Sequence, residues 1–202
     1  IVDYGMGNLF SIQQACHIVG LESVLTADAS SIEAADAVIL PGVGAFGQAM
    51  EVLNARGVSS VLRSLAAAGR PLFGICLGMQ LLMDGSEEFG YHRGLGIVPG
   101  CVRRLPAKCP AGERVKVPAV GWNRIQRIQD GRARNWCDAG LSALSDGDYM
   151  YFVHSYYVHP EDRQVIAATA EYSSVYCSVP VQDGVFGWQF HPVRCGRNAI
   201  SL

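Results

Sequence analysis

Little in this sequence carries charge: 17% of its 202 residues are Asp, Glu, Lys or Arg, against 50% apolar. That is too apolar for a disordered chain, and enough for a substantial core. With a net charge of −2 and no basic stretch longer than Arg103-Arg104, there is little electrostatic footprint for nucleic acid or an anionic membrane. No segment approaches the ~18 consecutive apolar residues that span a bilayer, and Ile1-Val2-Asp3 opens the chain without a basic region and apolar signal segment. A cytoplasmic location is expected. The seven cysteines are odd in number, scattered and without CxxC spacing, and no histidine stands at ligand spacing from them. Neither a disulfide framework nor a zinc site is expected, and no cofactor is called for. There is no linker, low-complexity segment or repeat, so residues 1–202 are read as one domain.

What is present is alternation. Ile1–Tyr4 reads as a strand end, followed by a Gly5–Asn8 turn and a helix over Leu9–Val19, where Ile12, Ala15, Cys16 and Val19 recur at helical spacing. A short strand is expected at Ser23–Leu25, a helical piece at Ser31–Ala35, and a buried strand at Ala37–Leu40 that stops at Pro41-Gly42. Helices over Gln48–Ala55 and Val58–Ala68 precede a strand over Arg70–Ile75. From Gly94 to Val185 the chain turns β-branched and aromatic, with strands expected at Val115–Pro118, Tyr149–Val153 and Val165–Ala170. The fold class that follows is α/β: a doubly wound, flavodoxin-like, mostly parallel sheet with flanking helices and a β-rich antiparallel extension.

Gly74-Ile75-Cys76-Leu77-Gly78 follows a strand and leads into an apolar helix-like run. It is the cysteine form of the G-x-S-x-G nucleophile elbow. Such a sharp strand-to-helix turn needs small residues two positions either side of the nucleophile, and it sets the thiol at a helix N-terminus that favours the thiolate. The competing reading is a buried core cysteine beside a glycine turn. A thiol nucleophile needs a base, and His17, His92, His154, His159 and His191 are the candidates. His154 and His191 end strand-like runs, where sites gather in a parallel sheet.

Gly42-Val43-Gly44-Ala45-Phe46-Gly47 matches G-x-G-x-x-G between a strand and a helix. The acidic residue ~20 positions on that a dinucleotide site asks for is absent, because that strand runs into the cysteine elbow. The better reading is a loop that offers backbone N–H groups to an oxyanion near Cys76.

Together, Gly74-Ile75-Cys76-Leu77-Gly78-Met79-Gln80 and Gln189-Phe190-His191-Pro192 resemble the class I, triad-type glutamine amidotransferases. Within that family four further blocks are similar to the glutaminase subunits of imidazole glycerol phosphate synthases. They are Asp3–Leu9, Pro41–Phe46, Val117-Pro118 with Gly121-Trp122-Asn123, and Tyr151–Val158. The resemblance covers nearly the whole chain and implies an activity: glutamine hydrolysis to glutamate and ammonia, with Cys76 as nucleophile and His191 as base and acid. It further implies an oxyanion hole from Leu77 and the Val43-Gly44 loop, and glutamine contacts from Gln80 and Tyr157. The implied partner is a (β/α)₈-barrel cyclase, in a heterodimer, that receives ammonia and forms imidazole glycerol phosphate in histidine biosynthesis. Asn8, Trp122, Asn123, His154, Ser155 and Tyr156 would face it.

The chain departs from the family in three places. The usual His-Pro-Glu-Lys-Ser reads His191-Pro192-Val193-Arg194-Cys195 here, so no carboxylate at 193 can orient the histidine. In serine proteases that loss is worth roughly 10⁴-fold in kcat, and less is expected for an intrinsically acidic thiol. Ala119 stands where His usually follows Lys-Val-Pro. Gly196–Leu202 begins like the family's last helix and stops in its first turns, which implies exposed apolar surface and lower stability. A catalytically impaired, partner-binding homologue and a Cys hydrolase of esters or thioesters are the alternative readings. Glu161 and Asp183 are left open as substitute carboxylates for His191.

Overall fold

The computed structural model describes residues 1–128 and 136–195. The expectation for the tail at 196–202 lies outside these residues. The first half contains α1 (Leu9–Ile18), α2 (Ala29–Ala34), β1 (Val38–Leu40), α3 (Phe46–Ala55), α4 (Val58–Ala67), β2 (Leu72–Ile75) and α5 (Leu77–Leu81). The remainder is strand, apart from 3-10 turns at Trp136–Ala139, Arg163–Val165 and Pro192–Arg194: β3 (Met83–Ser86), β4 (His92–Arg93), β5 (Val98–Arg104), β6 (Ala119–Arg127), β7 (Tyr149–His154), β8 (Tyr156–Pro160), β9 (Ile166–Glu171), β10 (Val175–Gln182) and β11 (Val185–Trp188).

Local chemistry sets the helix ends. Asn8 and Asp28 cap α1 and α2 by accepting the backbone N–H groups of Ser11 and Ser31. Between α3 and α4 the chain reverses at Gly57, whose φ of +69° is the left-handed conformation that glycine adopts at little cost. α3 buries Phe46, Ala49, Met50 and Leu53, and α4 buries Val58, Leu62 and Leu65. These spacings put one apolar stripe of each helix on the sheet.

Among the described residues the strands run β1-β2-β11-β10-β8-β5-β3-β4, with β9 also on β10, β6 on β9 and β7 on β6. β1, β2 and β11 are parallel to one another. The N-terminal segment joins them through Val2 N–H to Ile39 O, 2.9 Å. Alternation along these strands builds two cores. Val38, Leu40, Leu72 and Val185 face a cluster with α2, α3 and α4, while Ile39, Phe73, Ile75, Phe186 and Trp188 face a second one with Ile12 and Cys16 of α1. Helices therefore cover both faces.

The α/β class and the antiparallel extension agree with the sequence reading. The parallel portion is smaller than expected, because the later strands follow one another through short connections such as Asp183-Gly184 between β10 and β11. Connections that short join only antiparallel neighbours. Two expected strands shrink: Ser23–Leu25 is replaced by one bridge between Val2 and Thr26, and Val115–Pro118 lies in a loop. Pro118 lacks the N–H that a ladder needs. Among the described residues no helix is long and apolar enough to cross a membrane.

Gly78 is the tightest point of this architecture. A Cβ there would lie 1.8 Å from the Leu40 carbonyl oxygen. We expect Gly78→Ala to cost roughly 3 kcal/mol or to block folding. Gly20→Ala, at φ +78° with nothing within 4 Å of the added methyl, should cost only about 1 kcal/mol. Urea unfolding of both variants checks this, and equal costs would contradict it.

Candidate active site

The C-terminal ends of β1, β2 and β11 come together, and each supplies one part of a site. Beyond β1 runs Pro41–Ala45, beyond β2 stands Cys76, and beyond β11 the chain continues through Gln189 to His191. This is where sites form in open parallel sheets.

Cys76 occupies a strained turn, with φ +53° and ψ −111°. Non-glycine residues hold such conformations at a cost of ~1–3 kcal/mol, and only where their surroundings impose them. Here the surroundings are visible. A Cβ on Gly74 would lie 2.6 Å from Met79 Cα, so the strand and the first helical turn touch backbone to backbone. The Cys76 N–H donates to Trp188 O at 2.7 Å, which carries the β2–β11 ladder into the elbow and fixes the thiol relative to the chain leading to His191. The His191 turn is itself latched to β7. Its N–H donates to Tyr151 O at 3.0 Å, Tyr151 N–H donates to Cys195 Sγ at 3.1 Å, and that thiol donates to His191 O at 3.0 Å.

The cysteine side chain is 7% exposed. Burial pushes its pKa up to about 11, opposed by the Leu77 N–H and by the Gln189 side chain, whose Nε2 lies 3.7 Å from Sγ. In this state the sulfur is a thiol. Its ionisation depends on a base, and His191 lines the same cavity of about 390 Å³.

That cavity gathers most of the residues singled out in the sequence: Cys76, His191, Val43, Gly44, Leu77 and Gln80, with His154, Ser155 and Tyr156. Gly44 has φ +107°, a backbone direction that glycine permits at this loop. Tyr157 is not among the lining residues. Its ring packs against Tyr176, at 5.9 Å between ring centroids, while Tyr156, whose carbonyl accepts from Gln80 and His154, is among the lining residues. His154 is buried, with Nδ1 donating to Tyr156 O at 2.9 Å and Nε2 3.2 Å from the Tyr176 hydroxyl. Burial, followed by the proximity of His191, holds its pKa near 4 against the hydrogen bond to Tyr156, so it is neutral at physiological pH.

One lining residue carried no sequence signal. Glu88, in the loop after β3, brings a carboxylate to the cavity and accepts the Phe46 N–H at 2.6 Å. It thereby caps α3, whose preceding residue Ala45 makes no side-chain cap. A negative charge at the N-terminus of the helix after the G-x-G-x-x-G loop opposes a phosphate there. Glu88 sits one residue after Glu87 in a polar stretch, and only the contact with α3 distinguishes it.

Val193 lines a small crevice beside His191 with Asn8, Ile12, Pro41 and Ile75. Glu161 and Asp183 are both exposed, and neither lines the cavity. Ala119 is buried at the start of β6, in register with His154. Asn8 is exposed at the start of α1, Trp122 is 55% exposed, and Asn123 is half-buried with its amide donating to Glu171 O at 2.6 Å. Val120, Trp122, Tyr149, Tyr151 and Val153 form an apolar face on the β6–β7 pair, with Val120 opposite Val153 and Trp122 opposite Tyr151. Val153 also lines the cavity, so this face borders its mouth. Among the described residues no group of three His, Cys, Asp or Glu side chains is placed to hold a metal ion.

Comparison with known proteins places the chain in a family. The chain is 46% identical to the imidazole glycerol phosphate synthase subunit HisH of Syntrophotalea carbinolica, over all of this chain and 95% of that one. It is 44% identical to the subunit of the same name from Geobacillus kaustophilus, over all of this chain and 92% of that one. Among solved structures, that of PurLQS from Thermotoga maritima superposes with a TM-score of 0.70 at 17% identity, over 99% of this chain and 92% of that one, a likeness of fold. The family model for glutamine amidotransferase class-I matches residues 1–195, and the chain belongs to that family.

Proposed function

We propose that this chain is the glutaminase subunit of an imidazole glycerol phosphate synthase, hydrolysing glutamine and passing ammonia to a cyclase subunit. One observation carries the reading: three parallel strand ends deliver Cys76, His191 and the Val43-Gly44 loop to one cavity. The subunit names of the relatives support the assembly.

The chemistry follows from the groups present. Glutamine enters with its α-ammonium toward Glu88, the carboxylate of the cavity. Gln80 spends both amide hydrogens inside the protein, on Tyr156 O and Gln189 Oε1, so its own Oε1 is what it can offer a ligand. Cys76 Sγ attacks the side-chain amide carbon while His191 takes the thiol proton. The oxyanion so formed meets the Leu77 N–H and an N–H of the Val43-Gly44 loop, which turns inward. The C–N bond breaks as His191 returns the proton, and ammonia leaves. Water, deprotonated by His191, then splits the γ-glutamyl thioester, releasing glutamate and restoring the thiol.

The apolar β6–β7 face is the natural seat for a cyclase of (β/α)₈-barrel type, because it borders the cavity from which ammonia departs. Asn8, Asn123, His154, Ser155 and Tyr156 belong to the same side of this reading, although His154 acts from inside. A cytoplasmic location goes with the pathway. An uncharged ester or thioester, by contrast, would leave the Glu88 carboxylate only its place as the cap of α3.

Val193 favours a second reading, a homologue that binds its partner but turns over poorly. The two separate in an assay of ammonia release from glutamine with a matched cyclase subunit. Turnover should appear with the partner, vanish in Cys76→Ala, and rise in Val193→Glu by ~10²–10⁴-fold in kcat. Turnover surviving in Cys76→Ala contradicts the mechanism, and no gain from Val193→Glu selects the second reading. Trp122→Ala should weaken cyclase binding by ~2 kcal/mol in calorimetry while leaving the unfolding midpoint in place. Unchanged affinity removes this face from the interface.

A further inference from the structure

Behind Cys76 lies a line of buried polar groups, of which the mechanism above uses only the Oε1 of Gln80. Gln189 is fully buried. Its backbone N–H donates to Ser178 O at 2.9 Å, which anchors it to β10. Its Nε2 lies 3.7 Å from Cys76 Sγ, and its Oε1 accepts from Gln80 Nε2 at 3.2 Å. Gln80 Nε2 also donates to Tyr156 O at 2.9 Å, where His154 Nδ1 donates too, and the Tyr176 hydroxyl donates to His154 Nε2.

The order of donors along this line is fixed at one atom. Tyr156 O is a backbone carbonyl and can only accept, so Gln80 must turn its nitrogen toward it and toward Gln189. Gln189 must then present oxygen to Gln80 and nitrogen to the sulfur. The reverse orientation would set two amide nitrogens against each other and a carbonyl oxygen against the thiolate. In a dry interior each such mismatch leaves a polar group unsatisfied, which the fold avoids.

We propose that Gln189 is a positioning residue for the nucleophile: its side-chain amide, held in one orientation by Gln80 and the Tyr156 carbonyl, donates to Cys76 Sγ and stabilises the thiolate as it forms. The proposal rests on Cys76 being the nucleophile and not on the identity of its substrate. It explains how a thiol sealed at this depth can be ionised in a chain whose position 193 is apolar. The amide is a donor that costs no reorganisation, aimed from the protein side of the sulfur while His191 lines the open side. Among the described residues, Tyr4, Glu88, His154, Tyr156 and His191 are the titratable groups that face the sulfur or its cavity, and a substitution at 189 leaves all five in place.

Alkylation of Cys76 by iodoacetamide in the full chain, followed by peptide mass over pH 7–9.5, reads the thiolate directly. In Gln189→Met, of similar length but without a donor, a rise of about one unit in the thiol pKa lowers the thiolate fraction tenfold, partly offset by the greater nucleophilicity of the more basic sulfur. The expected net result is a rate roughly threefold to tenfold lower at every pH in that range. With the cyclase bound, kcat for glutamine should fall by a similar factor, the acid limb of its pH profile should move up, and KM should stay within about twofold. Equal alkylation rates in Gln189→Met and the unmodified chain overturn the proposal. Should Gln189→Met fail to fold, Gln80→Leu keeps Gln189 but frees its amide to turn. It should slow alkylation in the same direction, and an unchanged rate there overturns the proposal equally. Because alkylation needs no glutamine, absence of glutaminase turnover in every variant would defeat the function proposed above and leave this result standing.

Discussion

The site depends on one close contact of backbone with backbone, where the elbow at Cys76 presses against the ends of β1 and β2. With Gly74 and Gly78 bare, Met79 can approach the strand and the Leu40 carbonyl can lie where a Cβ of residue 78 would be. That approach forces Cys76 to φ +53° and throws its side chain toward the cavity. Any side chain at either glycine separates the surfaces, and the thiol then has no reason to hold a strained backbone. The same contact carries the Pro41–Ala45 loop, since Gly42 lies against Leu77, Gly78 and the Tyr4 hydroxyl with no room for a methyl group. The proposed nucleophile and the proposed oxyanion loop are thus positioned by one piece of packing.

The proposed base, His191, is held by a different device. His191 follows β11, whose parallel pairing with β2 ends in the hydrogen bond from Cys76 N–H to Trp188 O. Beyond it the chain leaves the sheet and is tied to β7 through the backbone of Tyr151 and the thiol of Cys195. The histidine's backbone is well fixed, while the crevice beside its ring is lined by Val193 and other largely apolar residues. Position is thereby preserved while charge stabilisation at 193 is not. A histidine held in place without a carboxylate at 193 is expected to give a slower enzyme rather than an altered reaction.

Much of this was legible in the sequence, for identifiable reasons. The elbow declares itself because its glycines are sterically compulsory, and the helices α1, α3 and α4 because their apolar residues repeat at helical spacing. The extent of the antiparallel part was less visible, since β-branched runs look alike whichever way the neighbour points. Val115–Pro118 read as a strand on composition, and its proline removed it from the ladder. Glu88 and Gln189 escaped because their roles lie in partners far along the chain: Phe46 for one, Gln80 and Cys76 for the other. Tyr157 and Tyr156 differ by one position, and the sequence pattern does not tell which of them lines the cavity; in the structure it is Tyr156.

The central claim is that Cys76 becomes covalently attached to the γ-carbonyl of glutamine. Mixing the chain and its cyclase with glutamine, quenching in acid within the first turnovers and weighing the peptides tests it directly. The account predicts one γ-glutamyl group on the peptide that carries Cys76, lost on incubation with hydroxylamine. Ammonia release in full with that peptide unmodified at every quench time, and no lag or loss of turnover when Cys76 is blocked, would contradict it.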